Sequence, residues 1–194
     1  MKIAIIKYNA GNIMSVQFAL KRLGYDSVVT ADKEVIRSAD RVIFPGVGEA
    51  ASTMEYLEKE GLDVLLKDLK QPVLGICLGL QLMCSYSEEG NTKCIGIFDV
   101  PVRKFQAKLN VPHIGWNTIE DVKSNLFSGL AEDSFVYFVH SYYAERSIDT
   151  IASCNYINEF SAALHRDNFY ATQFHPEKSG DAGHQILKNF IEKI

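Results

Sequence analysis

The chain has 194 residues, a formal charge of −4, and is 47% hydrophobic and 23% charged, the balance of a water-soluble domain large enough to enclose a core. Its mild acidity and the lack of a Lys/Arg run exclude a phosphate-tracking nucleic-acid surface. No apolar run reaches bilayer length, and Ala4–Ile6 is cut off by Lys7 before it could form a secretory core.

In chain order, Lys2–Lys7 is a β-branched run followed by an amphipathic segment, Asn12–Leu23, which Gly24 can terminate. Tyr25–Thr30 and Arg41–Phe44 are the next predicted strands. Ala50–Glu60 and Leu62–Leu69 are helical by period and are separated by Gly61. Val73–Ile76 is a short apolar strand, and Leu78–Ser85 follows as a helix. From Ile95 the pattern becomes strand-rich: Ile95–Phe105, Ile114–Ile119, Phe135–Val139, Thr150–Tyr156, Ala162–His165 and Phe169–Phe174. His165–Asn168 has the residues of a hairpin turn, and a last helix begins near Asp181. No linker or repeat divides the chain. The expectation is one α/β domain spanning 1–194, with a central, mainly parallel sheet, mixed in its second half and covered by helices on both faces.

The four cysteines, Cys77, Cys84, Cys94 and Cys154, form no C-x-x-C pair. A zinc site or disulfide framework is therefore not expected, and unpaired thiols without an export signal predict a cytoplasmic protein that needs no metal. Cys77 stands apart. It ends the apolar strand within Gly75-Ile-Cys77-Leu-Gly79, and a helix begins at once, which is the G-x-nucleophile-x-G elbow that presents a reactive side chain on a sharp turn. A helix N-terminus favours a thiolate there, and the N–H of Leu78 points where an oxyanion would form. Cysteine more commonly acts as a small core hydrophobe, a description that suits Cys84, Cys94 and Cys154. By itself the elbow leaves several hydrolase families open.

A thiol nucleophile needs an imidazole that has its own carboxylate partner. Among the five histidines, His175 ends an apolar strand with a proline next and a carboxylate two positions on, in Gln173-Phe-His175-Pro-Glu177. Pro176 pushes His175 into an extended conformation, in which residues i and i+2 share a side. His184 is expected on the solvent side of the last helix and His165 in its turn. Phe44-Pro45-Gly46-Val47-Gly48-Glu49 follows a predicted parallel strand, so it reaches the same sheet edge as Cys77, where Val47 could offer its N–H. Such P-G-x-G loops are usually plain turns.

Together these segments resemble the class I (triad) glutamine amidotransferases and, within them, the glutaminase subunits of imidazole glycerol phosphate synthases. The resemblance spans essentially the whole chain. It rests on Tyr8-Asn-Ala-Gly11-Asn12, Pro45-Gly-Val-Gly48, Gly75-Ile-Cys77-Leu-Gly79-Leu-Gln81, Pro112-His113-Ile-Gly-Trp116-Asn117, Phe138-Val-His140-Ser141-Tyr142 and Gln173–Ser179. It implies Cys77 as nucleophile, His175 as general base and then acid, Glu177 as its orienter, and oxyanion N–H groups from Val47 and Leu78. It implies Gly48, Gln81, Glu89, Ser141 and Tyr142 around the glutamine backbone. Glu89 lies in the acidic Ser87–Gly90 turn, where a solvated face is the plainer expectation. The implied partner is a (β/α)8-barrel cyclase forming a heterodimer, faced by Asn12, His113, Trp116, Tyr137 and Lys178. For Trp116 and Tyr137, ordinary aromatic packing is an equal alternative. No cofactor is implied.

Three rival readings stand beside it. The chain could be the glutaminase of another synthase, in a pyridoxal phosphate, anthranilate or surface-sugar pathway. It could be a different cysteine hydrolase, which would not need Gln81 or the His-Ser-Tyr loop. It could be a non-catalytic regulatory module, which predicts an eroded triad, whereas all three triad positions are filled.

Overall fold

The first strand, β1 (Ile3–Ile6), is apolar at every position and buried on both faces, as a central parallel strand must be. The structure, a computed structural model, describes residues 1–8, 12–106, 109–131 and 133–194; Asn9, Ala10 and Gly11 of the Tyr8–Asn12 motif lie outside the described residues. Beyond β1 come α1 (Ile13–Arg22), β2 (Ser27–Thr30), α2 (Lys33–Arg37), β3 (Arg41–Phe44), α3 (Ala50–Glu60), α4 (Leu62–Asp68), β4 (Val73–Ile76) and α5 (Leu78–Met83). The second half holds β5 (Tyr86–Ser87), β6 (Thr92–Lys93), β7 (Pro101–Lys104), β8 (His113–Thr118), β9 (Phe135–His140), β10 (Tyr142–Ala144), β11 (Thr150–Asn155), β12 (Glu159–Arg166), β13 (Phe169–Thr172) and α6 (Gly180–Glu192).

Seven strands form the main sheet in the order β11-β12-β13-β4-β3-β1-β2. From β13 to β2 every pairing is parallel, while β12 runs antiparallel to both of its neighbours, so the sheet is mixed as expected. Alternation along β1 divides the core. Ile3 and Ile5 pack with Val16 and Leu20 of α1 and Leu187 and Phe190 of α6. Ala4 and Ile6 pack with Leu57 of α3 and Leu65 of α4 on the other face. Helices therefore cover both faces. Two smaller sheets, β10-β7-β5-β6 and the β8–β9 ribbon, lie beside the main one in the chain's second half.

The apolar run expected as one strand from Ile95 to Phe105 is strand only at Pro101–Lys104. Its first half is used differently. The N–H groups of Ile95, Gly96, Ile97 and Phe98 donate to the carbonyls of Leu82, Cys84 and Met83 at 2.7–3.0 Å, satisfying the end of α5, which stops at Met83 and not at Ser85. Gly96, at φ 73°, makes the bend. Some short elements had no periodic signal long enough to read. Among them are α2, although Asp32 caps it by accepting from Glu34 N and Val35 N, the three-residue β10, and the β5–β6 hairpin, two residues on each side. His165 lies in β12, stacked on Tyr170 at 4.1 Å, and not in the turn. His184 is half-buried on α6 with an enclosed Nε2, not solvent-facing.

Candidate active site

Three neighbouring parallel strands deliver the site to one edge of the sheet. Phe44 of β3 pairs with Gly75 of β4, and Ile76 of β4 pairs with Thr172 of β13. The next residues of each strand therefore emerge side by side: the Pro45–Gly48 loop, Cys77, and Gln173–His175. A cleft of about 300 Å³ opens there, lined by Val47, Gly48, Cys77, Leu78, Gln81, Glu89, Ser141 and Tyr142, together with Pro112, Val139 and His140. Every residue expected to offer an oxyanion N–H or to surround glutamine reaches this cleft.

Cys77 occupies φ 53°, ψ −106°, a strained conformation for a non-glycine residue that aims the side chain off the turn. The flanking glycines make the turn possible by close approach. A Cβ on Gly79 would come within 2.1 Å of the Phe44 carbonyl oxygen, and one on Gly75 within 2.5 Å of Met83 Sδ. Gly46 is similarly confined: a Cβ there would meet Leu78 Cβ at 2.6 Å. The β3 loop thus lies directly against the elbow. The Tyr8 hydroxyl donates to the Pro45 carbonyl from beneath and supports that loop.

His175 and Glu177 lie behind Cys77 with side chains 1% and 0% exposed, and His175 Nδ1 is 2.8 Å from Glu177 Oε1. Pro176 turns the chain so that i and i+2 meet, as the sequence predicts. His175 Nε2 is enclosed and has no hydrogen-bond partner. Burial alone would lower the His175 pKa, but the nearby Cys77 sulfur and the hydrogen-bonded Glu177 carboxylate overcome it and raise the pKa to about 10. The other thiols are held protonated. Burial pushes Cys84 well up, and Cys94 and Cys154 each up to about 12.

The backbone of His175 is clamped to β9. Its N–H donates to the Tyr137 carbonyl at 2.9 Å, Ser179 Oγ donates to the His175 carbonyl at 2.7 Å, and Tyr137 N–H donates back to Ser179 Oγ. Ser179 was visible in the sequence only as part of a motif. Gln173 likewise stands in the sequence only as the first residue of that motif. Its Nε2 lies 3.7 Å from Cys77 Sγ, and its Oε1 accepts from Gln81 Nε2 at 3.1 Å. The signal was its position, just beyond the strand that leads to His175. Gln81 also donates to the Tyr142 carbonyl at 2.9 Å, so its own carbonyl oxygen is what remains to offer a ligand amine. Glu89 Oε2 accepts from Ala50 N at 2.8 Å, so it is tied to the start of α3 and not left in a solvated turn. Burial raises its pKa against the pull of that N–H.

The five residues expected to face a partner separate into two sets. Trp116, 54% exposed, meets Tyr137 edge-on at 5.8 Å, and Lys178 Nζ is 5.9 Å from the Tyr137 ring centroid. Ile114 and Phe135 extend the same exposed face of β8–β9. His113 does not belong to that face. It is 3% exposed, stacked between Tyr156 at 4.0 Å and Phe138 at 4.8 Å. Asn12, half-buried at φ 67°, turns inward, and its Nδ2 donates to Glu177 Oε1 at 2.6 Å. Among the described residues no cluster of His, Cys, Asp or Glu could hold a metal ion, and no helix is long and apolar enough to cross a membrane.

The elbow, the buried His–Glu pair and the sheet order are those of one protein class. Residues 4–194 match the model of the family described as glutamine amidotransferase class-I, and the chain belongs to that family. Solved structures agree on the fold: a glutamine amidotransferase superposes at a TM-score of 0.76 with 18% identity, covering 97% of each chain. PurLQS from Thermotoga maritima gives 0.74 with 14% identity, covering 99% of this chain and 98% of that one.

Within the class, the chain belongs to the imidazole glycerol phosphate synthase subunit HisH family. It is 64% identical to that subunit of Bacteroides fragilis and 60% to that of Bacteroides thetaiotaomicron, each over 99% of this chain and 100% of the relative. With the subunit of Pasteurella multocida the identity is 46%, over 99% of this chain and 98% of the relative.

Proposed function

We propose that this chain hydrolyses glutamine at Cys77 and passes the ammonia to a (β/α)8-barrel cyclase across the Trp116–Tyr137–Lys178 face. By family it is the glutamine amidotransferase subunit of imidazole glycerol phosphate synthase, an enzyme of histidine biosynthesis. The observation that carries the chemistry is the buried Glu177–His175 pair placed behind a strained, cleft-lining cysteine.

The reaction has two halves. Cys77 Sγ attacks the carboxamide carbon, and the oxyanion develops toward the Val47 and Leu78 N–H groups. As the C–N bond breaks, His175 gives its proton to the leaving ammonia, and a thioester remains on Cys77. Neutral His175 then takes a proton from water, which attacks the thioester and releases glutamate and the thiolate. Glu177 holds Nδ1 throughout, so Nε2 is the atom that exchanges protons. The Gln81 carbonyl oxygen, Glu89 and the Ser141–Tyr142 turn surround the amino-acid end of the substrate.

Two experiments test this reading. Cys77→Ala should abolish hydrolysis while Cys84→Ala retains it, and a glutamine-like electrophile should label Cys77 alone. Label on Cys84, Cys94 or Cys154 would overturn the assignment. For the partner, Tyr137→Ala should raise the ratio of glutamate formed to cyclised product, because the aromatic cover over the ammonia path is lost. An exposed aromatic and aliphatic face of this kind marks a protein contact. A ratio that stays at the wild-type value argues for a different partner surface.

A further inference from the structure

Behind the cleft runs a chain of hydrogen bonds that the triad chemistry does not use. The Tyr142 carbonyl can only accept, so His140 Nδ1, 2.8 Å away, must carry its hydrogen. His140 Nε2 is then bare and accepts from His113 Nδ1 at 3.1 Å. His113 Nε2 is bare in turn and faces the Asn117 amino group at 3.5 Å. The orientation of Asn117 is set independently. Its Nδ2 donates to the Asn155 carbonyl at 3.0 Å and its Oδ1 accepts from Thr118 N at 2.9 Å. Both ends therefore dictate the same tautomers. On the other side of the Tyr142 carbonyl, Gln81 donates to it and to Gln173, and Gln173 reaches Cys77 Sγ at 3.7 Å. Both histidines are buried, 3% and 5% exposed, and His113 does not line the cleft.

We propose that the tautomer-locked pair His113–His140 and the Gln173 amide are positioning residues for glutamine hydrolysis, fixing the Tyr142 carbonyl and, through Gln81, the Cys77 sulfur. The Tyr142 carbonyl is the node, filled by one donor from each side. Loss of the His113 donor leaves His140 Nε2 unpaired and frees the ring to turn, and the Ser141–Tyr142 wall of the cleft turns with it. The proposal rests on Cys77 being the nucleophile.

The test uses the chain together with its synthase partner. His113→Phe keeps the stacking on Phe138 and Tyr156 but removes the donor, whereas His113→Asn keeps a donor near the Nδ1 position. His113→Phe should raise KM for glutamine roughly tenfold, the size of one lost buried hydrogen bond, and leave kcat within a few fold. His113→Asn should restore KM to near wild type. A network serving stability alone predicts that both variants lower Tm and that neither moves KM, and that result overturns the proposal. The far end is read by Gln173→Met, which should slow alkylation of Cys77 by iodoacetamide about tenfold by removing a donor to the sulfur. Unchanged alkylation overturns the proposal even where His113→Phe does not fold. Hydrolysis surviving in Cys77→Ala would instead defeat the underlying reading of the nucleophile.

Discussion

Two corners of the site hold buried histidines of opposite electrostatic character. His175, with Glu177 on one side and Cys77 on the other, has its pKa raised to about 10. His140 is equally enclosed, yet its pKa is lowered to about 3 by burial first, with the Tyr142 carbonyl pulling upward and the charges of His113 and His175 pulling down. Its partner His113 is lowered to about 4 by burial. Burial acts in the same direction at both corners, so the difference comes from what each ring faces. An anionic partner makes a buried imidazole a proton donor at neutral pH; a second imidazole and a carbonyl make it a fixed, neutral strut.

The sharpest way to break this comparison is to remove the anion from the first corner. Glu177→Gln keeps the volume but replaces the acceptor carboxylate that faces His175 Nδ1 at 2.8 Å. Removing the orienting carboxylate of a triad costs up to about ten-thousandfold in kcat. We expect a fall of a thousandfold or more, with the His175 titration, followed by NMR, moving down from about 10. A variant that hydrolyses glutamine within tenfold of wild type would show that the Cys77–His175 pair operates without its carboxylate.

The second corner can be read through stability. His113 and His140 are held below their unfolded pKa of about 6.5, so the unfolded chain binds protons that the native chain refuses. Their contribution is complete above pH ~6.5 and is lost as pH falls toward 4 and then 3. Each histidine should cost about 2 kcal/mol between pH 6.5 and 4.5, at ~1.4 kcal/mol per pH unit at full slope. His175 has the opposite sign: its contribution is present below pH ~6.5 and is lost as pH rises through about 10. Urea unfolding at a series of pH values checks this. His113→Phe should flatten the acid limb and leave the alkaline limb in place. An acid limb of wild-type steepness would mean that carboxylates, not this pair, set the acid sensitivity.

The two corners were not equally legible in the sequence. His175–Glu177 is a local pattern: a strand end, a proline and a carboxylate two positions on leave little freedom for where the side chains go. The elbow is local too, although the clash that forbids a side chain at Gly79 comes from the Phe44 carbonyl on the next strand. His113 and His140 meet only because β8 and β9 pair in the register His113↔His140, a contact across 27 positions that no local period reveals. The Ile95–Phe98 segment misled for a related reason. Its apolar composition reads as strand, but its N–H groups close the end of α5, which is a tertiary use of backbone.

Asn12 gives the finest discrimination, because two readings of it predict different measurements. Family resemblance places it against a partner, whereas its Nδ2 lies 2.6 Å from Glu177 Oε1, the oxygen that also faces His175. It sits at φ 67° where α1 begins, a left-handed conformation that asparagine tolerates better than most side chains. An amide donating to an ionised carboxylate contributes about 1.5–3 kcal/mol, more than a neutral pair. Much of that stays recoverable in Asn12→Ala, since Glu177 keeps its bond to His175 and water can replace the lost donor. We therefore expect kcat to fall about tenfold, ~1.4 kcal/mol of transition-state stabilisation. KM for glutamine should not change, because Asn12 does not line the cleft. Partner affinity should also hold, which titration calorimetry with the other subunit of the synthase would measure. A variant with wild-type kcat and a weakened complex would return Asn12 to the interface and leave Glu177 oriented by His175 alone.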